Sequence, residues 1–316
     1  MTEPIRLAPA KVNLGLRVVG RRADGYHLLE SLFAPLDLVD RIRIAIEPAP
    51  ATRVEIGVDG MAAGVPADAK NLAVRAARAF LEEAGVAAKV AIYLEKRIPT
   101  GAGLGGGSSD AATVLRALSD RFANALPENR LVALALELGA DVPFFLDPRP
   151  AWVTGIGDRI EPLADFPALD LLLVTPAPPL ATAAVFRAYD AALTPGRPGR
   201  RMPALRDGPA RILIAALAND GSGQELAALL ANDLAPVASR LHPGIDRVRA
   251  ELERLGARAV AMSGSGPTVF GVFSSSERAA TARTQGQFEE TDRVLVARTS
   301  GAPAESPRAG SKWGVV

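Results

Sequence analysis

The residue types best suited to chemistry are concentrated in residues 99–112, which read Pro-Thr-Gly-Ala-Gly-Leu-Gly-Gly-Gly-Ser-Ser-Asp-Ala-Ala. Glycine has no Cβ, so the backbone N–H groups of such a loop can approach an anion closely. A helical pattern follows the loop, and the first N–H groups of a helix are unpaired and lie at the positive end of its dipole. A glycine-rich loop that runs into a helix is typical of a phosphate-binding site.

The spacing of the glycines restricts which of the known types of phosphate-binding loop this one can be. Gly101, Gly103 and Gly106 formally match the dinucleotide-binding pattern G-x-G-x-x-G. In a Rossmann unit the strand ends at the first glycine, whereas here residues 95–100 intervene. No lysine follows the glycines, which excludes a Walker A loop, and the chain has neither the Asp-Phe-Gly nor the His-Arg-Asp set of protein kinases. The loop alone therefore indicates phosphate binding without saying which chemistry it serves.

Lys11 and Asn13 are polar candidates near the start of the chain. Apolar and polar residues alternate in residues 5–18, which predicts a strand with Lys11 and Asn13 on the same face. That face can be an ordinary solvated surface or part of a polar pocket. The alternation does not distinguish between the two.

Asp141 is the candidate for a general base. It follows the end of a helix predicted over residues 128–138, shortly before Pro143, which favours extended backbone in front of it. An aspartate at such a position is often a turn former. The apolar residues 144–146 would also shield it partly from water, which suits a general base.

Two further turns carry candidate binding residues. Asp24 and Gly25 predict a tight turn that presents Tyr26 and His27 side by side. The pair can belong to a surface turn with an anchoring tyrosine, or it can offer aromatic rings and polar edges to a planar ligand. Residues 263–266, Ser-Gly-Ser-Gly, lie between two predicted strands and fit either a hairpin turn or a second anion-binding loop.

Strands and helices of an α/β protein must position these residues. Period-2 patterns and short apolar runs predict strands over 5–18, 41–47, 54–58, 90–94, 169–174, 259–262, 268–273 and 294–297, with a mixed strand or loop over 28–38. Helical patterns predict helices after Asn71, from Ser108 or Ser109, over 128–138, from Thr182, over 243–255 and over 277–290. A composition shift at 147–150 predicts an N-terminal domain over 1–150 and a C-terminal domain over 151–300. Residues 195–209 have the composition of a mobile loop and residues 301–316 that of a disordered tail.

The composition of the 316-residue chain excludes several function classes. With 48% hydrophobic and 22% charged residues it predicts a globular protein with a large core. The absence of cysteine excludes disulfides and thiol nucleophiles, and the presence of only two histidines disfavours a histidine-built metal site. A net charge of +1 does not suggest a nucleic-acid or membrane partner. No apolar run approaches a membrane span and the first residues have no signal core, so we expect a cytoplasmic enzyme.

Taken together, the motifs resemble those of one superfamily, the galactokinase, homoserine kinase, mevalonate kinase and phosphomevalonate kinase (GHMP) family. Residues 8–14 resemble its first motif, residues 99–112 its ATP-phosphate motif and residues 263–266 its third motif. Residues 22–27 and 139–143 are similar to one branch, which phosphorylates a methylerythritol carrying a cytidine diphosphate in the non-mevalonate route to isoprenoids. The resemblance extends over residues 5–300.

The resemblance implies a two-domain fold with the active site in the interdomain cleft and a small-molecule substrate. Asp141 would take the proton from the 2-hydroxyl of the substrate, with Lys11 beside it to keep the carboxylate ionised. The loop would wrap the phosphates of ATP with Pro99, Thr100, Gly101, Ala102, Gly103, Leu104, Gly105, Gly106, Gly107, Ser108 and Ser109. Mg²⁺ would bridge those phosphates, with Ser108 as its protein contact.

Within that branch, Tyr26 and His27 match the pair that recognises the cytosine, and Asn13 and Thr182 fall where the methylerythritol part is contacted. Two residues depart from the family pattern. Asp110 stands where asparagine is frequent and adds negative charge near the phosphates, with a role through Mg²⁺ as one explanation, and Ala102 stands where glycine is usual.

Other functions remain open at this point. A homoserine or mevalonate type of kinase is an alternative, although neither substrate has a base for the Tyr-His pair. A nucleotide-binding module without catalysis is another, against which Lys11 and Asp141 argue. We expect a monomer or a weak homodimer.

Overall fold

Two β-sheets with helices packed against them organise the chain in the computed structural model, which describes residues 3–123, 125–164, 166–192, 226 and 228–300. The first sheet contains β1 (Arg6–Arg21), β2 (His27–Pro48), β3 (Arg53–Gly60), β4 (Ala88–Lys96), β5 (Ala151–Gly155) and β6 (Arg159–Pro162). The second contains β7 (Asp170–Thr175), β8 (Ala259–Met262), β9 (Val269–Phe273) and β10 (Arg293–Arg298). The α/β prediction is therefore confirmed.

The helices lie between groups of these strands along the chain. They are α1 (Leu72–Glu83), α2 (Gly106–Arg121), α3 (Glu128–Leu138), α4 (Val142–Leu146), α5 (Thr182–Ala192), α6 (Ala235–Leu241), α7 (Gly244–Arg254) and α8 (Ser276–Gln285). Asn71 caps α1 as predicted, because its side-chain oxygen accepts a hydrogen bond from the backbone N–H of Ala73 at 2.9 Å. None of the helices in the described part of the chain is long and apolar enough to cross a membrane.

The long strand β2 is the centre of the first sheet. It pairs antiparallel with β1 along much of its length, with β5 near its start and with β4 near its end. The predicted break between residues 28–38 and 41–47 is absent, because β1 pairs with residues up to Ile42 and β4 pairs with residues from Arg41 onward, so the pairing spans that point. In the second sheet the strand order is β10-β7-β9-β8, and all neighbours are antiparallel.

Strand β1 of the first sheet is buried on both faces. One face packs against α1 to α4 through side chains such as Phe80, Leu115 and Phe144. The other face contributes Leu14 to a core shared with Phe270 of the second sheet. A strand between two cores has no solvated face, so the solvent-facing interpretation of the alternation in β1 is wrong, and the polar-pocket interpretation is confirmed.

Two local predictions around the glycine-rich loop are wrong. The helix expected from Ser108 or Ser109 begins at Gly106, because Gly105 takes a left-handed conformation (φ 74°) and its carbonyl accepts the N–H of Ser109 at 2.9 Å. Pro143 does not force extended backbone before it but lies in the first turn of α4. Proline is tolerated there because the N–H groups of a first turn have no partner within the helix.

The predicted domain boundary between residues 150 and 151 stays a prediction. Strands β5 and β6, which follow that point, pair into the first sheet, and the strands of the second sheet begin only with Asp170. The mobile loop predicted over 195–209 and the disordered tail predicted over 301–316 lie outside the described residues.

Candidate active site

A cavity of about 490 Å³ lies where the glycine-rich loop meets β1, the start of α4 and the start of α5. Polar and charged side chains from all of these elements face it. The wall includes Lys11, Asn13, residues 99–108, Asp110, Asp141, Thr182, Gly264 and Ser265. Segments far apart in the sequence therefore form one concave site of the size that small-molecule ligands occupy.

The conformation of the glycine-rich loop depends on glycine at particular positions. Gly103 has φ 76°, and a Cβ there would lie 2.4 Å from the carbonyl oxygen of Ser263. Gly105 has φ 74°, and a Cβ would lie 2.7 Å from the ring of Phe145. The loop leads directly into α2, whose first N–H groups have no partner within the helix. The wall thus combines close backbone approach with the positive end of a 16-residue helix.

Lys11 and Asp141 form the charged pair of the cavity. The ammonium of Lys11 lies 3.4 Å from the carboxylate of Asp141 and also donates a hydrogen bond to the side chain of Asn13. Lys11 is 3% exposed, with its ammonium 4.6 Å from the centre of the Phe33 ring. The side chain of Asp141 is about one-third exposed, at 34%. A fixed cation therefore lies beside an accessible carboxylate, an arrangement suited to accepting a proton from a bound hydroxyl.

Asn13 connects this pair to the turn at residues 263–266. Its side-chain amide donates to the hydroxyl of Ser31 at 2.9 Å, and its backbone N–H donates to the hydroxyl of Ser263 at 3.2 Å. That hydroxyl in turn donates to the carbonyl of Gly103 at 3.0 Å. Ser263 therefore links β1 to the glycine-rich loop.

Thr182 lies at the start of α5 and lines the cavity. Its hydroxyl shares a 2.8 Å hydrogen bond with the hydroxyl of Ser265. The second glycine turn thus contacts the cavity through Ser265 and Gly264, and supports the glycine-rich loop through Ser263.

Tyr26 and His27 lie beside the cavity and do not form part of its wall. The ring of His27 stacks on Phe186 of α5, with ring centres 4.7 Å apart and planes at 25°, and its Nε2 is 2.7 Å from the carboxylate of Asp190. Phe186 itself lines the cavity. Tyr26 is 58% exposed. Phe186 therefore joins His27 to the cavity.

A buried network of charged side chains lies next to the glycine-rich loop. The ammonium of Lys96 hydrogen-bonds the carboxylates of Asp40 and Asp110, the latter at 2.7 Å. Burial raises the pKa of Asp110 to about 7, although the ammonium of Lys96 acts in the opposite direction. Burial also lowers the pKa of Lys96, but the two carboxylates outweigh it and raise that pKa above the ordinary value. Asp110, at the cavity wall, is thus compensated by a lysine that sequence reasoning did not select.

Comparison with known proteins connects this geometry to a family. Residues 71–147 match the N-terminal domain of GHMP kinases, and residues 213–290 match the C-terminal domain of GHMP kinases. A 4-diphosphocytidyl-2-C-methyl-D-erythritol kinase of Syntrophotalea carbinolica is 42% identical over 87% of this chain and 91% of its own length. The chain belongs to the GHMP kinase family. A kinase of the same name from Thermus thermophilus is 44% identical to this GHMP kinase over 88% of the chain and 90% of its own length.

Solved structures agree with this GHMP kinase fold. A 4-(cytidine 5'-diphospho)-2C-methyl-D-erythritol kinase superimposes with a TM-score of 0.74 at 40% identity, over 94% of this chain and all of the other. A homoserine kinase from Cytophaga hutchinsonii gives a TM-score of 0.68 at 21% identity, over 96% of each chain. The second similarity shows a shared fold alone.

The sequence selected about half of the cavity wall of this GHMP kinase. Among the residues it missed are Phe186 and Lys96, together with Asp40, which lies outside the wall and pairs with Lys96. Phe186 follows Thr182 by four residues, so helical spacing alone would have placed both on one face of α5. Lys96 and Asp40 carried no comparable signal, because they lie on separate strands. Of the eleven predicted loop residues, Ser109 alone is absent from the wall. Its side chain is fully buried, and its hydroxyl has no hydrogen-bond partner among the described residues.

Oxygen ligands for a nucleotide-bound Mg²⁺ are present at the cavity. Within the described ranges, three or more histidine, aspartate or glutamate side chains never come together as a metal site. Mg²⁺ does not require such a cage, since it is commonly held by one or two protein oxygens together with substrate phosphates and water. The Ser108 hydroxyl and the Asp141 carboxylate both belong to residues of the wall and fit that mode.

Proposed function

We propose that this GHMP kinase transfers the γ-phosphoryl group of ATP to the 2-hydroxyl of 4-diphosphocytidyl-2-C-methyl-D-erythritol. The observation that carries the proposal is the Lys11–Asp141 pair opening onto the same cavity as the glycine-rich loop. The names of relatives that are 40–44% identical supply the substrate. The reaction would belong to the non-mevalonate route to isoprenoids.

The glycine-rich loop would bind the β- and γ-phosphates. Positions 103 and 105 exclude side chains, so the loop can follow an anion closely, and the first turn of α2 adds unpaired N–H groups and the positive end of its dipole. Phosphoryl transfer leaves little covalent work for the protein, so positioning and electrostatic stabilisation dominate. The loop therefore contributes to the reaction by holding the donor in place.

Asp141 would act as the general base. The acceptor oxygen forms a bond to the γ-phosphorus, the bond from that phosphorus to the β,γ-bridging oxygen breaks, and ADP leaves. The proton of the acceptor hydroxyl passes to Asp141. Lys11, 3.4 Å from that carboxylate, stabilises the developing negative charge.

Mg²⁺ would be held by the hydroxyl of Ser108 together with the nucleotide. When bound, it supplies positive charge that offsets the charge developing on the transferred phosphoryl group.

The cytidine would bind at the aromatic pair. Tyr26 offers an exposed ring, and His27 is held by stacking on Phe186 and by Asp190. Phe186 also lines the cavity, so it connects the base to the methylerythritol, which Asn13 and Thr182 would contact. A homoserine or mevalonate acceptor has no base to use this aromatic group.

We also propose that the enzyme works in the cytoplasm as a monomer or a weak homodimer without a nucleic-acid partner. The support for the absence of a nucleic-acid partner is the net charge of +1, which gives no strong field to attract a polyanion. Sedimentation velocity at micromolar concentration would measure the oligomeric state.

The test of the proposed function is ADP release from ATP and Mg²⁺ with three acceptors. We expect turnover with 4-diphosphocytidyl-2-C-methyl-D-erythritol and little above background with mevalonate or homoserine. Preferred turnover of either of the other acceptors would reject the substrate assignment. Nucleotide binding without turnover of any acceptor would favour a non-catalytic module.

A further inference from the structure

A buried network of three charged side chains joins separate elements of the N-terminal sheet to α2. Asp40 lies on β2, Lys96 is the last residue of β4 and Asp110 is in the first turns of α2. Their exposures are 0%, 3% and 3%. The Lys96 ammonium donates to both carboxylates, while the second oxygen of Asp40 accepts the backbone N–H groups of Arg97 and Ile98.

The three contacts fall at the two ends of the glycine-rich loop. Arg97 and Ile98 directly precede residue 99, and Asp110 directly follows residue 109. The ends also touch, because a Cβ on Gly106 would lie 3.0 Å from the side chain of Ile98 and 3.3 Å from the Lys96 ammonium. The network therefore spans the entrance and the exit of the loop.

We propose that Asp40, Lys96 and Asp110 are positioning residues that hold the ends of the glycine-rich loop together, so that it is shaped for nucleotide phosphates before they arrive. The inference rests on the proposed binding of ATP by this loop, and not on the identity of the acceptor. Lys96 and Asp110 line the cavity and Asp40 does not, and the role proposed for all three concerns the loop and not direct contact with the nucleotide. They act through the loop backbone and through the first turn of α2.

The energetics favour positioning over simple stabilisation of the fold. Removing charges from water is costly, and a buried ion network often contributes no more stability than apolar side chains of the same volume. A loop with five glycines between residues 101 and 107 has many conformations to lose when it binds a ligand. Fixing its ends beforehand lowers that cost, so the benefit appears in nucleotide affinity.

Because Lys96 pairs with two carboxylates, one of them can be removed in a variant that should still fold. Asp110→Ala removes the contact at the loop exit but leaves Lys96 compensated by Asp40, so no unpaired buried charge remains. Asp110→Asn also removes the charge of the carboxylate but keeps an oxygen that can accept from Lys96. Both variants lack the carboxylate charge, so a difference in nucleotide affinity between them measures the hydrogen bond from Lys96 and not the charge.

The experiment measures binding of adenylyl imidodiphosphate with Mg²⁺ by calorimetry. We expect Asp110→Ala to bind about tenfold more weakly than the wild type, the size expected from loss of a hydrogen bond to a charged group. We expect Asp110→Asn to recover most of that affinity. The KM for the acceptor should stay the same in both variants.

Asp292→Ala is the matched control. Asp292 is also a buried carboxylate, bonded by Arg247 at 2.8 Å, but neither residue lines the cavity. It should lower thermal stability without weakening nucleotide binding. Equal weakening by Asp292→Ala and Asp110→Ala would mean a general effect of destabilisation and would overturn the proposal.

A second measurement uses the wild type alone, and so does not depend on a variant that folds. The amides of Arg97 and Ile98 should exchange hydrogen slowly in the nucleotide-free enzyme, because Asp40 already accepts their hydrogen bonds. Fast exchange that becomes slow only with the nucleotide analogue would overturn the proposal. If Asp110→Ala binds the nucleotide analogue with an affinity within twofold of that of the wild type, the proposal is also overturned. A wild type that binds the analogue but does not phosphorylate the cytidine-bearing acceptor rejects the proposed acceptor and leaves this inference standing.

Discussion

Gly103→Ala tests whether the shape of the glycine-rich loop limits activity. Gly103 has φ 76°, and a methyl group there would lie 2.4 Å from the carbonyl oxygen of Ser263 and 3.2 Å from backbone atoms of Gly266. These neighbours are backbone atoms, so no flexible side chain can move aside. Ordinary contact begins near 3.4 Å. The loop and the second glycine turn must therefore separate by about 1 Å, the difference between these two distances.

The magnitude follows from that displacement. The left-handed conformation of a non-glycine residue costs about 1–2 kcal/mol. The shift has a larger effect on activity, because a misplacement of about 1 Å can lower the rate of a positioned reaction about 100-fold. It also reaches the acceptor side, since the Ser263 hydroxyl joins Gly103 to the backbone of Asn13. We therefore expect kcat/KM for ATP to fall about 100-fold.

Gly85→Ala separates the cost of a left-handed backbone conformation from the effect of displacing the glycine-rich loop. Gly85 follows α1 with φ 64° and has nothing within 4 Å of the position of a Cβ. It should lose about the same 1–2 kcal/mol from its backbone conformation, and it does not line the cavity. Urea unfolding and initial rates of ADP release measure both variants. If Gly103→Ala keeps more than a third of the wild-type kcat/KM, or if Gly85→Ala loses as much activity, the argument from the close approach to Ser263 is refuted.

Three further predictions concern single side chains. Asp141→Asn should lower kcat by about 10²–10⁴-fold, the range for loss of a general base, with little change in the KM for ATP; a kcat within threefold of the wild type would reject that role. His27→Ala and Phe186→Ala should mainly raise the KM for the cytidine-bearing acceptor in steady-state kinetics, whereas a selective loss of kcat would count against base recognition. Because the pKa of Asp110 is raised to about 7, the folded protein holds a proton that the unfolded chain releases near pH 4, so the free energy of unfolding should decline between about pH 4 and pH 8. Asp110→Asn should remove part of that decline in denaturant titrations, and an unchanged pH profile would contradict the assignment.

Features that depend on neighbours along the chain were predictable. The Asn71 cap, the helix Glu128–Leu138 and the common face of Lys11 and Asn13 follow from side-chain chemistry and from the periods of helix and strand. The start of α2 was misplaced because serine is a strong capping residue, whereas the left-handed Gly105 sets the start of the helix. In a run of glycines the local preferences for several starts are nearly equal, so contacts with the rest of the protein decide.

The residue types of the candidate site were evident from the sequence, but most of their partners were not. The sequence by itself indicated a glycine-rich loop before a helix that suits phosphates, an aspartate suited to proton transfer and an aromatic pair at a turn. The family resemblance implied Lys11 beside Asp141, and the tertiary structure gives their distance; only the tertiary structure placed His27 on Phe186 and Lys96 between two carboxylates. Spacing along a strand or helix assigns a residue to a face. Which residue it meets depends on how two sheets and their helices pack, and that is decided by burial summed over the whole chain.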